Sequence, residues 1–225
     1  MRARNLLFSD VVLLLFGPPG CGKGTQAVQL AARFRIPAIS TGEVFRAECR
    51  SGTELGKMAS GIMAAGGLVG DEIVNRMIAN RLAQPDCARG CVLDGYPRTI
   101  PQAQFLAHLA DERGFPEPVV IHIDVPADLL VARLVSRRQC PECGRIYNLL
   151  SQPPRVAGVC DDDRAPLLTR DDDQEAVIRR RLAAYEQQTG PVLDWYGSSM
   201  VYRVDGALSP ERVAQAIEQS VTVCV

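Results

Sequence analysis

The sequence predicts a three-layer α/β fold, in which a five-stranded parallel sheet is flanked by helices and carries two small mobile inserts. First, five apolar runs alternate with helical patterns along most of the chain, as in proteins with parallel sheets. Second, three of these runs are almost continuously apolar, which is typical of strands covered on both faces. Third, a glycine-rich phosphate-binding loop, or P-loop, directly follows the first run. Together these observations predict one P-loop domain over residues 1–225.

The elements follow from periodicity and from helix start signals. The predicted strands are 11–16, 36–39, 91–94, 119–125 and 200–204, and a short extension, residues 1–10, precedes them. The predicted helices are 24–34, 43–65, 71–84, 101–113, 126–138, 173–198 and 209–221, with breaks at 51–52 and 190–191. Pro101, Pro126 and Pro210 suit first helical turns. Residues 140–171 lack helical periodicity and are too long for an ordinary connection, so we expect a functional lobe there.

The P-loop is the most specific motif. It reads Gly17-Pro18-Pro19-Gly20-Cys21-Gly22-Lys23-Gly24-Thr25, and Gly24 stands where the generic motif has Ser or Thr. Its glycines let successive backbone N–H groups turn toward a polyphosphate, and the following helix adds its positive N-terminal end. Of the 25 lysines and arginines only Lys23 and Lys57 are lysines. Lysine carries a compact point charge, and Lys23 places that charge in the loop where phosphates are expected. The motif predicts binding of a nucleoside triphosphate or a similar compound.

Composition argues for a globular enzyme. The chain is 47% hydrophobic and 23% charged, and its net charge of −1 gives no support for a partner such as nucleic acid or a membrane surface. No segment is long enough to span a bilayer. The eight cysteines do not form a secreted disulfide framework, because most are scattered and three cluster between 140 and 160. We therefore expect a cytoplasmic protein with one metal site. Nothing in the sequence suggests more than a monomer.

The clustered cysteines predict a zinc knuckle. Cys140 and Cys143 form one ligand pair, and Cys160 and Asp163 form a second pair of the same spacing after a hairpin-length segment. Asp161 or Asp162 could replace Asp163 as the fourth ligand. Four protein ligands leave no open position for water, so the predicted Zn²⁺ is structural and makes the lobe rigid.

Two further segments suggest a nucleotide acceptor. Residues 38–46 read Ala-Ile-Ser-Thr-Gly-Glu-Val-Phe-Arg, and residues 94–102 read Asp-Gly-Tyr-Pro-Arg-Thr-Ile-Pro-Gln. With the P-loop, they make the chain resemble the nucleoside monophosphate kinases, and specifically the adenylate kinases of the long-lid, zinc-bearing bacterial type, from about residue 11 to about 220. The resemblance implies reversible phosphoryl transfer from ATP with Mg²⁺ to AMP, which gives two ADP and maintains adenine nucleotide balance. It also implies an AMP-binding lobe at 40–69 and a zinc-bearing lid at 139–171.

The resemblance implies a role for each matching position. ATP would be bound by Gly20, Cys21, Gly22, Lys23, Gly24, Thr25, Arg133, Arg137 and Tyr147. AMP would be bound by Thr41, Arg46, Gly67, Leu68, Val69, Gly95, Arg98, Gln102, Arg170 and Arg181, with Gln102 at the adenine edge. The catalytic set would be Lys23, Arg98, Arg133, Arg137, Arg170 and Arg181, with Asp172 and Asp173 orienting arginines and Asp94 ordering waters around Mg²⁺.

The chemistry of the residues agrees with these roles. An AMP phosphate is already ionised near neutral pH, so transfer needs alignment and charge neutralisation rather than a general base. Gly70 replaces a common Thr or Pro of the family beside the AMP base, and Tyr96 replaces a frequent Phe. One alternative is a kinase of the same class that uses GTP. Another is a non-catalytic P-loop protein with a zinc knuckle, although the knuckle lacks the basic and aromatic residues that nucleic-acid contact needs.

Overall fold

The computed structural model describes residues 11–224, and the predicted extension at 1–10 lies outside them. The strands are β1 (Val11–Phe16), β2 (Ala38–Ser40), β3 (Gly90–Asp94), β4 (Val119–Asp124), β5 (Arg137–Gln139), β6 (Ile146–Asn148) and β7 (Val201–Asp205). Five of them form a parallel sheet in the order β2-β3-β1-β4-β7, and β5 pairs with β6 in a separate antiparallel sheet. The predicted fold class is confirmed.

Nine α-helices occur between residues 11 and 224. They are α1 (Lys23–Phe34), α2 (Thr41–Ser51), α3 (Glu54–Ala64), α4 (Asp71–Leu82), α5 (Ile100–Arg113), α6 (Ala127–Val135), α7 (Glu175–Ala184), α8 (Gly190–Tyr196) and α9 (Pro210–Cys224). Short 3₁₀ turns occur at Pro85–Cys87 and Asp171–Asp173. Across the part of the chain that the structure describes, we find no helix that combines the length and the apolar character needed to cross a membrane.

The two faces of the sheet form two hydrophobic cores. Along β1, Val11, Leu13 and Leu15 pack on the side of α1 and α9, whereas the alternate residues pack on the side of α4 and α5. All six residues of β1 are buried, because helices cover both sides of the strand. This arrangement explains the almost continuous apolar run that predicted a central parallel strand.

The register of the sheet brings the predicted motifs to one edge. Leu15 of β1 and Ser40 of β2 both pair with Asp94, the last residue of β3. Because the strands are parallel, the P-loop after β1, the loop after β3 and residues 206–209 after β7 all leave the sheet at its carboxyl edge. Ligands of parallel α/β sheets bind in the crevice at that edge.

The helix predicted at 126–138 is too long. The helix α6 ends at Val135, and β5 follows directly. Residues that are distant in sequence complete the hydrogen bonds of its last turn: Asn148 Nδ2 donates to the Arg133 carbonyl at 3.0 Å, and the Leu149 N–H donates to the Ser136 carbonyl at 2.9 Å. Local propensity alone could not indicate this end.

The helix predicted at 173–198 breaks differently than expected. A π-helical turn at Tyr185–Thr189 joins α7 to α8, and Pro191 lies in the first turn of α8. Proline has no N–H for the helical ladder, and a wider π turn before it keeps the chain helical without that bond. The expected break at 190–191 is thus a change of helix type rather than an interruption.

The segment 140–171 contains more structure than the sequence predicts. Gln139 pairs with Leu168 through two backbone hydrogen bonds of 2.8 and 2.9 Å, and further antiparallel bridges join Val159 to Val156 and to Pro166. The lobe also has a small core in which Ala165 and Leu167 pack on Cys140, Tyr147 and Cys160. The backbone pairing depends on contacts across the lobe, which short-range sequence patterns do not show.

Candidate active site

A cleft of about 1000 Å³ opens at the carboxyl edge of the sheet. Its floor is the P-loop, and one wall is formed by α2 and residues 66–69. The opposite wall consists of lid residues of β5, β6 and the segment before α7, and residues 206–210 complete the rim. This volume is at the upper end of the range for small-molecule sites.

The P-loop turns tightly into α1. Gly22 is the N-cap of the helix with a φ of 106°, a conformation that strongly favours glycine, and it accepts the hydrogen bond from the Gln26 N–H at 3.1 Å. The N–H groups at the start of a helix have no partner within the helix and face outward along its axis. Lys23 Nζ lies within the loop and donates to the carbonyls of Gly17 at 2.6 Å and Pro18 at 3.2 Å. The loop therefore has the geometry of a phosphate site.

Asp94 is the last residue of β3, and Arg98 lies in the loop that follows it. A Cβ on Gly24 would be 3.5 Å from Asp94 Oδ2, so this carboxylate lies against the start of α1. The side chain of Arg98 folds back and donates from Nε to the Gly95 carbonyl at 2.8 Å. Thr41 Oγ1 donates to the same carbonyl at 2.9 Å and joins α2 to this loop.

Gln102 fixes the backbone of Arg98. Its Oε1 accepts the Arg98 N–H at 2.7 Å, and its Nε2 donates to Asp71 Oδ1 at 2.7 Å, while Thr99 Oγ1 donates to Asp71 Oδ2 at 2.9 Å. The sequence analysis did not include Asp71. A glutamine amide has two N–H donors and two oxygen lone pairs, so the capacity to bind an adenine edge remains.

Two further arginines, Arg137 and Arg181, are held by aspartates. Arg137 forms a bidentate ion pair with Asp173, and Arg181 lies 3.0 Å from Asp172 Oδ2 and 3.3 Å from Asp173 Oδ1. Both aspartates are buried, so their positions are fixed by the protein interior. Charge-assisted pairs of this kind are directional, so the two carboxylates fix the orientation of these guanidinium groups in the structure.

Glu43 joins the two walls of the cleft and was missed by the sequence analysis. Its Oε1 accepts from Arg46 at 2.7 Å and from Arg170 at 2.6 Å, and Gln139 Nε2 lies 3.4 Å from both of its oxygens. Arg170 Nε also donates to Gln139 Oε1 at 2.6 Å. Glu43 was part of the quoted 38–46 motif, but a carboxylate in a helical first turn is ordinary and gave no separate signal.

Arginines concentrate positive charge at the centre of the cleft. Burial, together with the charges of Arg137 and Arg46, lowers the pKa of Arg170 to about 9. Burial likewise lowers the pKa of Arg98 and of Arg181, with nearby carboxylates acting in the opposite direction. Cations that repel one another in a partly buried site favour binding of a polyanion, which relieves the repulsion.

The other predicted nucleotide residues also border the cleft. Gly67, Leu68 and Val69 line it between α3 and α4. Arg133 lines it from α6 and donates to the Gly206 carbonyl at 2.8 Å. Arg180 is exposed and donates to the Ala65 carbonyl at 2.8 Å, just after α3. No pattern in the sequence indicated this contact.

The predicted metal ligands come together in the lid. The Sγ atoms of Cys140, Cys143 and Cys160 and a carboxylate oxygen of Asp163 all lie within 4.8 Å of one another. Asp162 instead pairs with Arg145 at 2.6 Å. Hydrogen bonds from the Ala165 N–H and the Cys140 thiol hold the pKa of Asp163 well below its usual value, so the carboxylate is ionised.

The two halves of the knuckle repeat the same turn. In the first half, the Cys140 N–H donates to the Arg145 carbonyl, and the Gly144 N–H donates back to the Cys140 carbonyl. In the second half, the Cys160 N–H donates to the Ala165 carbonyl, and the Arg164 N–H donates back to the Cys160 carbonyl. Gly144 and Arg164 are both left-handed, with φ of 76° and 67°. This repeat gives Asp163 the position that corresponds to Cys143, and it favours Asp163 over its two neighbours.

Comparison with known proteins agrees with this geometry. A family profile described as adenylate kinase matches residues 15–201. The chain belongs to the adenylate kinase family. The adenylate kinase of Thermotoga neapolitana is 44% identical to it over 207 residues, which cover 91% of this chain and 94% of the relative. The adenylate kinase of Trichlorobacter lovleyi is 51% identical over 189 residues, with coverage of 84% and 88%, and that of Symbiobacterium thermophilum is 48% identical over 210 residues, with coverage of 93% and 97%.

Membership of the adenylate kinase family confirms the resemblance found in the three sequence motifs. The protein is therefore a kinase, a transferase that binds ATP and other nucleotides. The matched range begins at Leu15 in β1 and includes the P-loop, the motif at 38–46 and the loop after β3, which are the segments that carried the prediction.

Proposed function

We propose that this adenylate kinase transfers the γ-phosphoryl group of ATP reversibly to AMP and forms two ADP. The observation that carries this proposal is the convergence of partly buried arginines on a cleft between the P-loop and the Arg98 loop. A polyphosphate donor on one side and a monophosphate acceptor on the other would place the transferred group among these side chains. The names of the relatives support the same reaction.

In the proposed mechanism the protein aligns the two phosphates and neutralises charge. Lys23 and the amides of residues 20–25 hold the donor phosphates, and Arg98 holds the AMP phosphate. The transferring group bears spread negative charge, which Arg137, Arg170 and Arg181 stabilise through planar forks. Asp172 and Asp173 hold Arg137 and Arg181, and Glu43 holds Arg170. An ionised AMP oxygen attacks in line, so no side chain has to remove a proton.

Water competes with AMP as acceptor, so the site must be closed before transfer. We assign the closing parts to the AMP-binding lobe at 40–69 and to the lid at 139–171. The contact of Glu43 with Arg170 joins these two segments across the cleft at 2.6 Å and supports this assignment. Gln102 and the backbone of residues 67–69 would surround the AMP base, while Arg133 and Tyr147 would face the donor.

Two metals complete the proposal. Mg²⁺ would enter with ATP and neutralise phosphate charge, with Asp94 ordering its waters beside Gly24. Structural Zn²⁺ would be held by Cys140, Cys143, Cys160 and Asp163, a donor set that suits this ion. Such an ion would stabilise the lid and would take no part in the reaction. We further propose that the enzyme acts in the cytoplasm as a monomer.

The direct test measures ADP formation from ATP and AMP with Mg²⁺. Parallel reactions replace ATP by GTP, and AMP by CMP, UMP or GMP. We expect fast, Mg²⁺-dependent transfer that is confined to AMP as acceptor, and the ratio of ATP to GTP rates gives the donor preference. Tight ATP binding without transfer to any acceptor would contradict the proposal and favour a binding protein.

Arg98 provides the sharpest single-residue test. Arg98→Ala should lower kcat by roughly 10²- to 10³-fold, because one preorganised donor to the transferring charge is lost. Arg179→Ala is the matched control, since Arg179 is exposed and pairs with Glu175 on the surface of α7. Steady-state kinetics of both variants should separate them, and a near-normal rate for the Arg98 variant would refute its assigned role.

A further inference from the structure

Tyr147 lies between the nucleotide cleft and the metal ligands. It is in the middle of β6, its side chain is buried, and it packs with Cys140 and Cys160 in the small core of the lid. The residue also borders the cleft, and the guanidinium carbon of Arg145 lies 4.9 Å from the ring centroid. Its hydroxyl is directed toward the second half of the knuckle.

The hydroxyl of Tyr147 makes two contacts there. Its oxygen accepts the backbone N–H of Asp161 at 2.8 Å and lies 3.4 Å from Cys160 Sγ. Because the oxygen already accepts from Asp161, its own proton is available for the sulfur. A cysteine that binds a metal is a thiolate, which accepts hydrogen bonds and has no proton to donate. With a metal present, Tyr147 is therefore the donor and Cys160 the acceptor.

We propose that Tyr147 is a positioning residue of the metal site, whose hydroxyl holds and stabilises the Cys160 thiolate as a metal ligand. The inference rests on the proposed structural metal. Neighbours that hydrogen-bond to metal ligands fix the orientation of those ligands and strengthen metal binding. Tyr147 would do this for Cys160 in the way that hydrogen-bonded partners support metal-binding histidines.

The burial of Cys160 explains why this ligand needs a donor. Cys160 is 0% exposed, whereas Cys143 is exposed to solvent. A buried negative charge is costly unless hydrogen bonds or a cation compensate it, while water can solvate an exposed thiolate. Tyr147 also joins the two halves of the lobe, because it follows the first turn of the knuckle and binds both Cys160 and Asp161 of the second.

The test removes the hydroxyl and keeps the ring. We expect Tyr147→Phe to bind Zn²⁺ roughly 10- to 100-fold more weakly than the unchanged protein, the range found for partners of metal ligands. The measurement is competition for Zn²⁺ with a coloured chelator of known affinity. Tyr196→Phe in α8 is the matched control and should bind Zn²⁺ normally, because it loses the same group outside the lid. Equal Zn²⁺ affinity in all three proteins would overturn the inference.

A second measurement separates metal positioning from general packing. The difference in Tm between the unchanged protein and the Tyr147 variant should be larger with Zn²⁺ than after its removal. The thiolate-to-metal charge-transfer band of the Co²⁺-loaded protein should also shift in the variant. Equal Tm differences with and without Zn²⁺ would mean that the hydroxyl serves only packing. Failure of the unchanged protein to bind Zn²⁺ would refute the metal site itself. ADP formation is measured separately, so the proposed kinase reaction is tested independently of the metal site and of the role of Tyr147.

Discussion

At Gly95, backbone conformation and crowding both disfavour a side chain. Its φ is 77°, in the left-handed region that glycine adopts most easily. A Cβ there would lie 2.7 Å from Arg98 Nη2 and 3.1 Å from Thr41 Oγ1. Both side chains also hydrogen-bond to the Gly95 carbonyl. The absence of a side chain at this residue therefore sets the position of the arginine that we assign to AMP.

Gly95→Ala should displace Arg98 and lower kcat/KM for AMP by roughly 10- to 100-fold, because small misplacements of a positioning group are costly in phosphoryl transfer. The KM for ATP should change less, since the donor phosphates bind the P-loop. Initial rates with each nucleotide varied in turn give both values.

Gly197→Ala is the control for backbone strain alone. Gly197 has a φ of 83°, but a Cβ there would meet nothing within 4 Å. This variant should lose some stability and keep its affinity for AMP. If the two variants showed the same kinetic defect, displacement of Arg98 would not be the cause.

The hydroxyl of Tyr96 makes contacts that its residue type alone did not predict. In the sequence it stands where the family has a frequent Phe. In the structure its hydroxyl donates to Asn75 Oδ1 at 2.7 Å and lies 3.2 Å from the Gln102 carbonyl. The hydroxyl thus joins α4 to α5 inside the core, a contact that depends on how the two helices pack and that no motif indicates.

Among the elements, α2 and the lid meet through Glu43. Partial burial raises the pKa of Glu43, but the hydrogen bond from Arg46 and the charges of Arg46 and Arg170 outweigh burial and lower it below 4.5. Both arginines are assigned to AMP or to the transferred phosphoryl group. The carboxylate therefore competes with phosphate for them and neutralises them when the cleft is empty.

Glu43→Gln should tighten AMP binding on the order of 2- to 5-fold, the size expected for a partly exposed ion pair. Equilibrium titration with AMP measures this change. Glu54→Gln removes an exposed ion pair with Lys57 on α3 and should leave the affinity unchanged. Weaker AMP binding in the Glu43 variant would mean instead that the carboxylate mainly preorganises the arginines.

The same ion pairs predict a dependence of stability on pH. Because the pKa of Glu43 is lowered in the folded state, its stabilising contribution is present above the ordinary value of 4.5 and is lost as pH falls through the lowered value. The difference in urea stability between the unchanged protein and Glu43→Gln should therefore shrink on acidification in that range.

On the scale of the whole molecule, the lid has little apolar core with which to stabilise itself. Its buried cluster consists of Cys140, Tyr147 and Cys160, with Ala165 and Leu167 partly buried against it. A metal bound by these thiolates would contribute directly to the folding of such a lobe. The order of one wall of the cleft then depends on the knuckle.

Cys143→Ser should bind no stoichiometric Zn²⁺, unfold at a lower temperature and expose residues 140–168 to proteolysis. Metal analysis, calorimetry and identification of the first cleavage sites measure these effects. Cys49→Ser is the control, because Cys49 lies in α2 and its side chain donates to the Gly56 carbonyl, which a serine can also do. Full metal content in the Cys143 variant would exclude this cysteine as a ligand.

Much of the fold was predictable because its signals are local. The strand, glycine-rich loop and helix around Lys23 are consecutive, so the P-loop and the carboxyl edge of the sheet followed from the order of residues. The equal spacing of the two ligand pairs in the knuckle was visible in the same way. The end of α6 at Val135 and strand β5 were missed, since their hydrogen bonds come from residues 146–168.

The sequence by itself determined the fold class, the phosphate loop and the candidate metal ligands, because each is specified by residue type and spacing along the chain. It indicated the set of arginines only through the resemblance to the adenylate kinases. Only the tertiary structure decided what those groups do to one another. Glu43 meets Arg170 and Tyr147 meets Cys160 across segments that the chain connects by many residues. The physical reason is that hydrogen bonds and charge interactions act over a few ångströms in space, whatever the separation in sequence.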